Sequence, residues 1–179
     1  MINLPRTYYS PEIIAYYCFE NEFTINQIFL LINVIYKKDL IFIHPQYKYD
    51  KNKFISKLMD YLDYWTDKEE YLKEVDDVKL FYEELNIPLE IIEETPSLDY
   101  FFIKTRLDIT FFKVPYRRIK FRTLLKKYGY KRRSDKFKSH IHKCMDFYQL
   151  KGYSNKKEIN LNTINIEDMI TFKVIDYKR

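Results

Sequence analysis

At 179 residues, with 46% hydrophobic and 32% charged side chains, the chain is globular in composition and long enough to bury a core without disulfides or a metal. Two glycines, two cysteines and a longest apolar run of nine residues (Ile28 to Tyr36, interrupted by Asn33) exclude collagen, a Gly-rich phosphate loop, a disulfide framework and a membrane-spanning helix of about 20 apolar residues. The net charge of +5 divides into −8 over residues 1–112 and +13 over residues 113–179, an asymmetry that suggests polyanion binding by the basic part, the alternative being two solvated faces that attract each other within one chain or across a dimer.

The two cysteines, Cys18 and Cys144, suit a reducing cytosol. The start, MINLPRTYYSPE, lacks the basic and apolar segments of a signal peptide. Ala15 is the one alanine, while Phe, Tyr, Met, Ile, Asn and Lys fill about half of the chain. These are residues with AT-rich codons, so the expected origin is an AT-rich genome: a low-GC bacterium, its phage or plasmid, or another virus.

Ser10-Pro11-Glu12 reads as a helix start, with a capping hydroxyl, proline at the first helical position and an acid at the positive end. Ile13, Ile14, Tyr17 and Cys18 give that helix one apolar face, ending near Glu20. Thr24-Ile25-Asn26-Gln27 fits a capping box ahead of Ile28 to Tyr36, a run apolar nearly all round and expected to form the central core helix. Leu40 to Ile43 reads as a strand stopped by Pro45. Phe54, Leu58, Tyr61, Leu62 and Trp65, then Tyr71, Val75, Val78, Phe81, Tyr82 and Leu85, recur at helical spacing and predict two acidic helices paired as a hairpin. Tyr100 to Ile103 and Ile109 to Phe112 are β-prone runs that predict a β-hairpin. The second of these echoes Ile170 to Val174.

The basic part begins after Pro115. Lys113 to Lys143 carries 13 basic residues against Asp135 alone. Phe121 to Tyr128 reads as a short amphipathic helix closed by Gly129. Tyr130 to Arg133 makes a basic turn, and Ser134 with Asp135 starts a second helix over 134–150. Phe137, Ile141, Cys144, Met145 and Tyr148 form its buried stripe, with Lys136, Ser139, His140 and Lys143 on the other side. Gly152 ends the segment, and Glu158 to Leu161 and Met169 to Ile175 are two β-prone pieces.

Helix, glycine turn, helix and two strands over residues 117–175 resemble a winged helix-turn-helix domain. The resemblance covers about a third of the chain and rests on this pattern rather than on an invariant motif. It implies that the second helix reads the major groove while the wing lies near the backbone. Lys131, Arg132, Arg133, Ser134, Lys136, Lys138 and His140 would then face the groove, with Arg132 and Arg133 placed to reach guanine edges. Arg117, Arg118, Arg122, Lys126 and Lys127 would meet phosphates, and Lys143 extends the same basic face. The turn crowds bulky side chains and is long for the motif, which leaves RNA open. Tyr116, Phe121, Tyr128 and Tyr130 interleave with the cations and could stack on single-stranded bases, although the helical spacing of Phe121 favours a place in the core.

Catalytic and metal patterns are sparse. His140 and Cys144 share a helix side at i, i+4, but His44 and Cys18 lie far away in sequence and supply no second spaced pair, so no metal or cofactor is expected. Asp99, Asp108 and Lys113, or Glu70 with Lys73, are too undistinctive to predict a nuclease. The sequence thus predicts an α+β, mainly helical chain, with an acidic helical domain carrying a β-hairpin over residues 1–112 and a basic winged-helix-like domain over residues 113–179. The expected role is non-enzymatic binding of DNA or RNA, in a regulatory protein of a phage, plasmid or other mobile element, possible as a homodimer and with no membrane partner. The alternative is an inhibitor of the anti-CRISPR kind, which binds a host defence or nucleoprotein complex, with the acidic Asp60–Asp99 face imitating nucleic acid or the basic face holding guide RNA or tRNA. A nuclease is a distant third.

Overall fold

The computed structural model describes residues 8–84, 98–127 and 133–175, residues 68–84 by their backbone alone. The fold is α+β and mostly helical, with six α-helices and one small antiparallel sheet of four strands among the described residues. The chain divides into two compact units: Tyr9–Thr95, and Met1–Tyr8 together with Pro96–Arg179. The charge pattern puts a boundary at 112/113, whereas the second unit includes the helix that precedes it.

In the first unit, α1 (Pro11–Glu20) starts as its sequence predicts, with the Ile13 amide donating to the Ser10 hydroxyl. The capping box of α2 (Ile25–Lys38) is complete: the Gln27 amide donates to Thr24 Oγ1, and the Thr24 amide donates to Gln27 Oε1 at 2.8 Å. Ile28, Leu31, Ile32 and Ile35 are buried, but Ile25, Phe29 and Leu30 are 49%, 44% and 58% exposed, so α2 is not the all-round core helix. Leu40–Phe42 is a 3-10 turn rather than a strand; only Ile43 bridges to Tyr9. The buried Asp39 accepts from Tyr9 Oη at 3.0 Å, so this segment is held by polar pairing and local turns instead of a ladder.

The expected acidic hairpin is one continuous helix, α3 (Lys51–Glu84). The stretch between the two apolar sets, Thr66-Asp67-Lys68-Glu69-Glu70, contains no glycine or proline, so nothing in it breaks the helix. Trp65 of α3 packs against Tyr16 and Phe19 of α1, with ring centres 4.9 and 6.3 Å apart.

In the second unit, α4 (Leu98–Phe111) replaces the β-hairpin expected over Tyr100–Phe112. Leu98, Phe101, Phe102, Thr105, Arg106 and Leu107 are all buried, together with Asp99, Tyr100, Ile103 and Asp108, so this helix takes the role expected of α2. β-Branched and aromatic residues favour strands only where a pleated surface receives them; burial on several sides overrides that preference here. The echo between Ile109–Val114 and Ile170–Val174 therefore joins a helix end to a strand.

The strand β1 (Arg117–Lys120) leads into α5 (Phe121–Lys127), then α6 (Asp135–Phe147), β2 (Leu150–Ser154), the two-residue β3 (Lys157–Glu158) and β4 (Met169–Val174). The sheet order is β1-β4-β2-β3, antiparallel throughout. Residue pairs Arg117 with Phe172 and Gly152 with Phe172 fix the register of both neighbours of β4. Ile170 and Phe172 point to the core, where Phe172 meets Phe101 and Phe102 of α4.

Helix α6 is shorter than expected, because the chain from Leu150 pairs with β4. Gly152 lies inside β2 and does not end the helix. The strand piece expected over Glu158 to Leu161 shrinks to Lys157–Glu158. Asn155 and Lys156 join β2 to β3 with positive φ at both residues (50° and 66°), the two-residue turn whose twist matches a hairpin. No helix among the described residues is long and apolar enough to cross a membrane.

Candidate nucleic-acid interface

The stripe predicted for α6 is buried at every position: Phe137, Ile141, Cys144, Met145 and Tyr148. Its start is capped as the sequence predicts, with the Phe137 amide donating to Ser134 Oγ at 3.2 Å and Asp135 in the first turn. Ser134 therefore spends its hydroxyl on the helix. Phe121 of α5 stacks on Phe137 at 6.1 Å and is fully buried, so it is a core residue and not a platform for bases.

The amides of Phe121 and Arg122 donate to the carbonyls of Asp168 and Ile166 at 2.9 and 2.8 Å. These bonds satisfy donors that a helix start leaves without intrahelical partners. They also bind the loop between β3 and β4 to the start of α5. Arg133 ties the same loop to the start of α6, its Nη1 donating to the Ile164 carbonyl at 2.5 Å.

The basic residues fall into two sets. Several are engaged within the protein. Lys120 and Arg122 both pair with Glu167, and their hydrogen bonds and charges hold its carboxyl below the usual carboxylate range. Lys138 pairs with Asp135 at 2.6 Å and donates to Asn162, and its hydrogen bond lowers the Asp135 carboxyl. Arg117 faces Asp108 at 3.5 Å. His140 is turned inward, with Nε2 3.2 Å from Asp99 Oδ1.

The second set is exposed: Arg118 on β1, Lys126 on α5, Lys136 and Lys143 on α6; Lys127 on α5 is exposed as well and belongs to neither set. Lys136, Ser139 and Lys143 stand at i, i+3 and i+7 on the side of α6 opposite the buried stripe. Lys131 and Arg132, with Tyr128 and Tyr130, lie outside the described residues. Of the carboxylates weighed for a nuclease, Asp99 and Asp108 are buried on α4 and paired with His140 and Arg117.

Two participants escaped sequence reasoning. Glu167, in a loop 45 residues beyond Arg122, pairs with that candidate cation and with its neighbour Lys120. Asp99 draws His140 away from the exposed face of α6. Comparison with protein families, with curated proteins and with solved structures finds no match to this chain.

Proposed function

We propose that the unit containing Pro96–Arg179 is a winged helix-turn-helix that binds duplex DNA without catalysing a reaction on it. One observation carries the reading. The order α4, β1, α5, α6, β2, β3, β4, with β4 between β1 and β2 in the sheet, leaves α6 with one stripe in the core and the opposite side lined by Lys136, Ser139 and Lys143. A helix presented in this way fits the major groove, and exposed lysines meet the flanking phosphates. Arg118, Lys126 and Lys127 extend the cationic surface. Burial of Phe121 removes one of the aromatics that could stack on single-stranded bases, while Tyr116 stays exposed.

The test is fluorescence anisotropy with a mixed-sequence DNA duplex and a single-stranded RNA of equal length, each at several salt concentrations. Duplex binding should dominate, with log Kd rising by about 0.9 per log unit of salt for each phosphate neutralised. Lys136→Ala with Lys143→Ala should weaken binding and flatten that slope at an unchanged melting temperature. Absence of duplex binding at low salt, or a double variant that binds like wild type, overturns the proposal. Preference for the RNA strand moves the reading to single-stranded RNA.

A further inference from the structure

Asp99 in the first turn of α4 meets His140 and Cys144, one turn apart on α6. His140 Nε2 is 3.2 Å and Cys144 Sγ 3.4 Å from the same oxygen, Asp99 Oδ1. The three donor groups lie within 4.8 Å of one another. All three belong to the second unit, and the inference is independent of the nucleic-acid reading.

We propose that Asp99, His140 and Cys144 form a zinc site that clamps α4 to α6. A tetrahedral zinc holds nitrogen and oxygen at about 2.0–2.1 Å and thiolate sulfur at about 2.3 Å, which sets neighbouring ligand atoms about 3.3–3.6 Å apart. These two separations are close to edges of such a tetrahedron before any side chain moves. The donor set is one carboxylate, one imidazole and one thiolate. Sulfur and nitrogen donors suit zinc and disfavour magnesium or calcium, which take oxygen ligands.

Charge and burial agree with this assignment. Asp99 and Cys144 are 3% and 1% exposed. A buried carboxylate and thiolate would leave two uncompensated charges, and a divalent cation cancels both. Binding replaces the Cys144 S–H with an S–Zn bond and releases one proton to water, while His140 binds through the lone pair of Nε2. The side chain of His140 is 21% exposed, so the cluster reaches solvent on that side. Three protein ligands leave the fourth position for water.

The experiment uses the full chain, reduced and stripped of metal with a chelator. Cobalt(II) serves as the spectroscopic probe and zinc as the competitor. One cobalt per chain should give the strong visible bands of a tetrahedral ion and a near-ultraviolet thiolate-to-cobalt band, both erased by one equivalent of zinc. Cys144→Ala should abolish the thiolate band, and Cys18→Ala should leave it intact. His140→Gln should lower zinc affinity by more than the roughly 10–100-fold that loss of an outer-shell partner costs. Circular dichroism without metal checks that each variant folds; should Cys144→Ala fail to fold, the wild-type spectrum and His140→Gln decide. Weak octahedral bands with no thiolate component, a thiolate band that depends on Cys18, or a His140→Gln variant that binds zinc like wild type overturns the site.

Discussion

Gly152 on β2 lies directly under the side chain of Ile159: a β-carbon at Gly152 would come within 2.6 Å of Ile159 Cδ1 and 3.4 Å of Ile170 Cγ2. The Ile159 amide also donates to the Gly152 carbonyl at 3.0 Å, so backbone and side chain seat together. The glycine is thus required by close approach and not by its dihedral freedom. Gly152→Ala should lower stability by about 1 kcal/mol, near the small end of overpacking costs, because the tip of a half-buried Ile159 can move aside. Gly152→Val should cost more, and Ile159→Ala should relieve part of the effect of Gly152→Ala. Denaturant melts of the two single variants and the double variant measure the coupling, which vanishes if the two positions are independent.

Glu167 governs how much of the basic surface is available. It holds Lys120 and Arg122, so Glu167→Gln should release two cations toward solvent and tighten polyanion binding. The salt dependence should steepen by about 0.9 for each added phosphate contact. Because pairing lowers the Glu167 pKa, the pair contributes above the usual carboxylate range and is lost as pH falls below it. Wild-type binding should therefore approach that of Glu167→Gln in acid. Equal affinities and equal salt slopes at neutral pH would contradict this.

How much of this was legible in the sequence depended on the range of each signal. Ser10, Thr24 with Gln27, and Ser134 mark helix starts because capping is a matter of three or four neighbouring residues. The buried stripe of α6 follows from a period of 3.6 in one element. Helix α4 is not legible locally because Tyr100–Ile103 and Ile109–Phe112 are β-prone, and only burial by distant elements decides their state. Gly152 resembles a helix terminator until Ile159 is placed against it. The partnership of Asp99 with His140 and Cys144 spans more than 40 residues and two helices, so no local spacing announces it. Charge density located the basic third but not which cations are spent: Glu167 takes two and Arg133 reaches a carbonyl.

The turn Asn155-Lys156 holds a lysine in the left-handed region. Both residues have positive φ, which asparagine tolerates and glycine prefers, while lysine pays the steric penalty of the left-handed region. Lys156→Gly should stabilise the hairpin by about 0.5 kcal/mol, since relief of roughly 1–2 kcal/mol is offset by the greater freedom of glycine in the unfolded chain. A lower melting temperature in this variant would show that Lys156 makes a compensating contact.

Ile141 and the lysines of α6 separate folding from binding within one helix. Ile141 is fully buried between positions Phe137 and Met145 of the same stripe, whereas Lys136 and Lys143 are exposed on the far side. Ile141→Ala removes buried methylene and methyl groups and leaves a cavity, so it should cost about 2–5 kcal/mol. That is a large share of the roughly 5–15 kcal/mol that holds a domain folded. Lys136→Ala or Lys143→Ala should change stability by less than about 0.5 kcal/mol, as for other exposed sites, and yet reduce nucleic-acid affinity. Thermal melts and anisotropy titrations on the same three proteins decide the assignment. An Ile141→Ala variant that melts like wild type would mean that α6 is not packed on this stripe. Lysine variants that unfold while Ile141→Ala only loses binding would mean that its two faces are reversed.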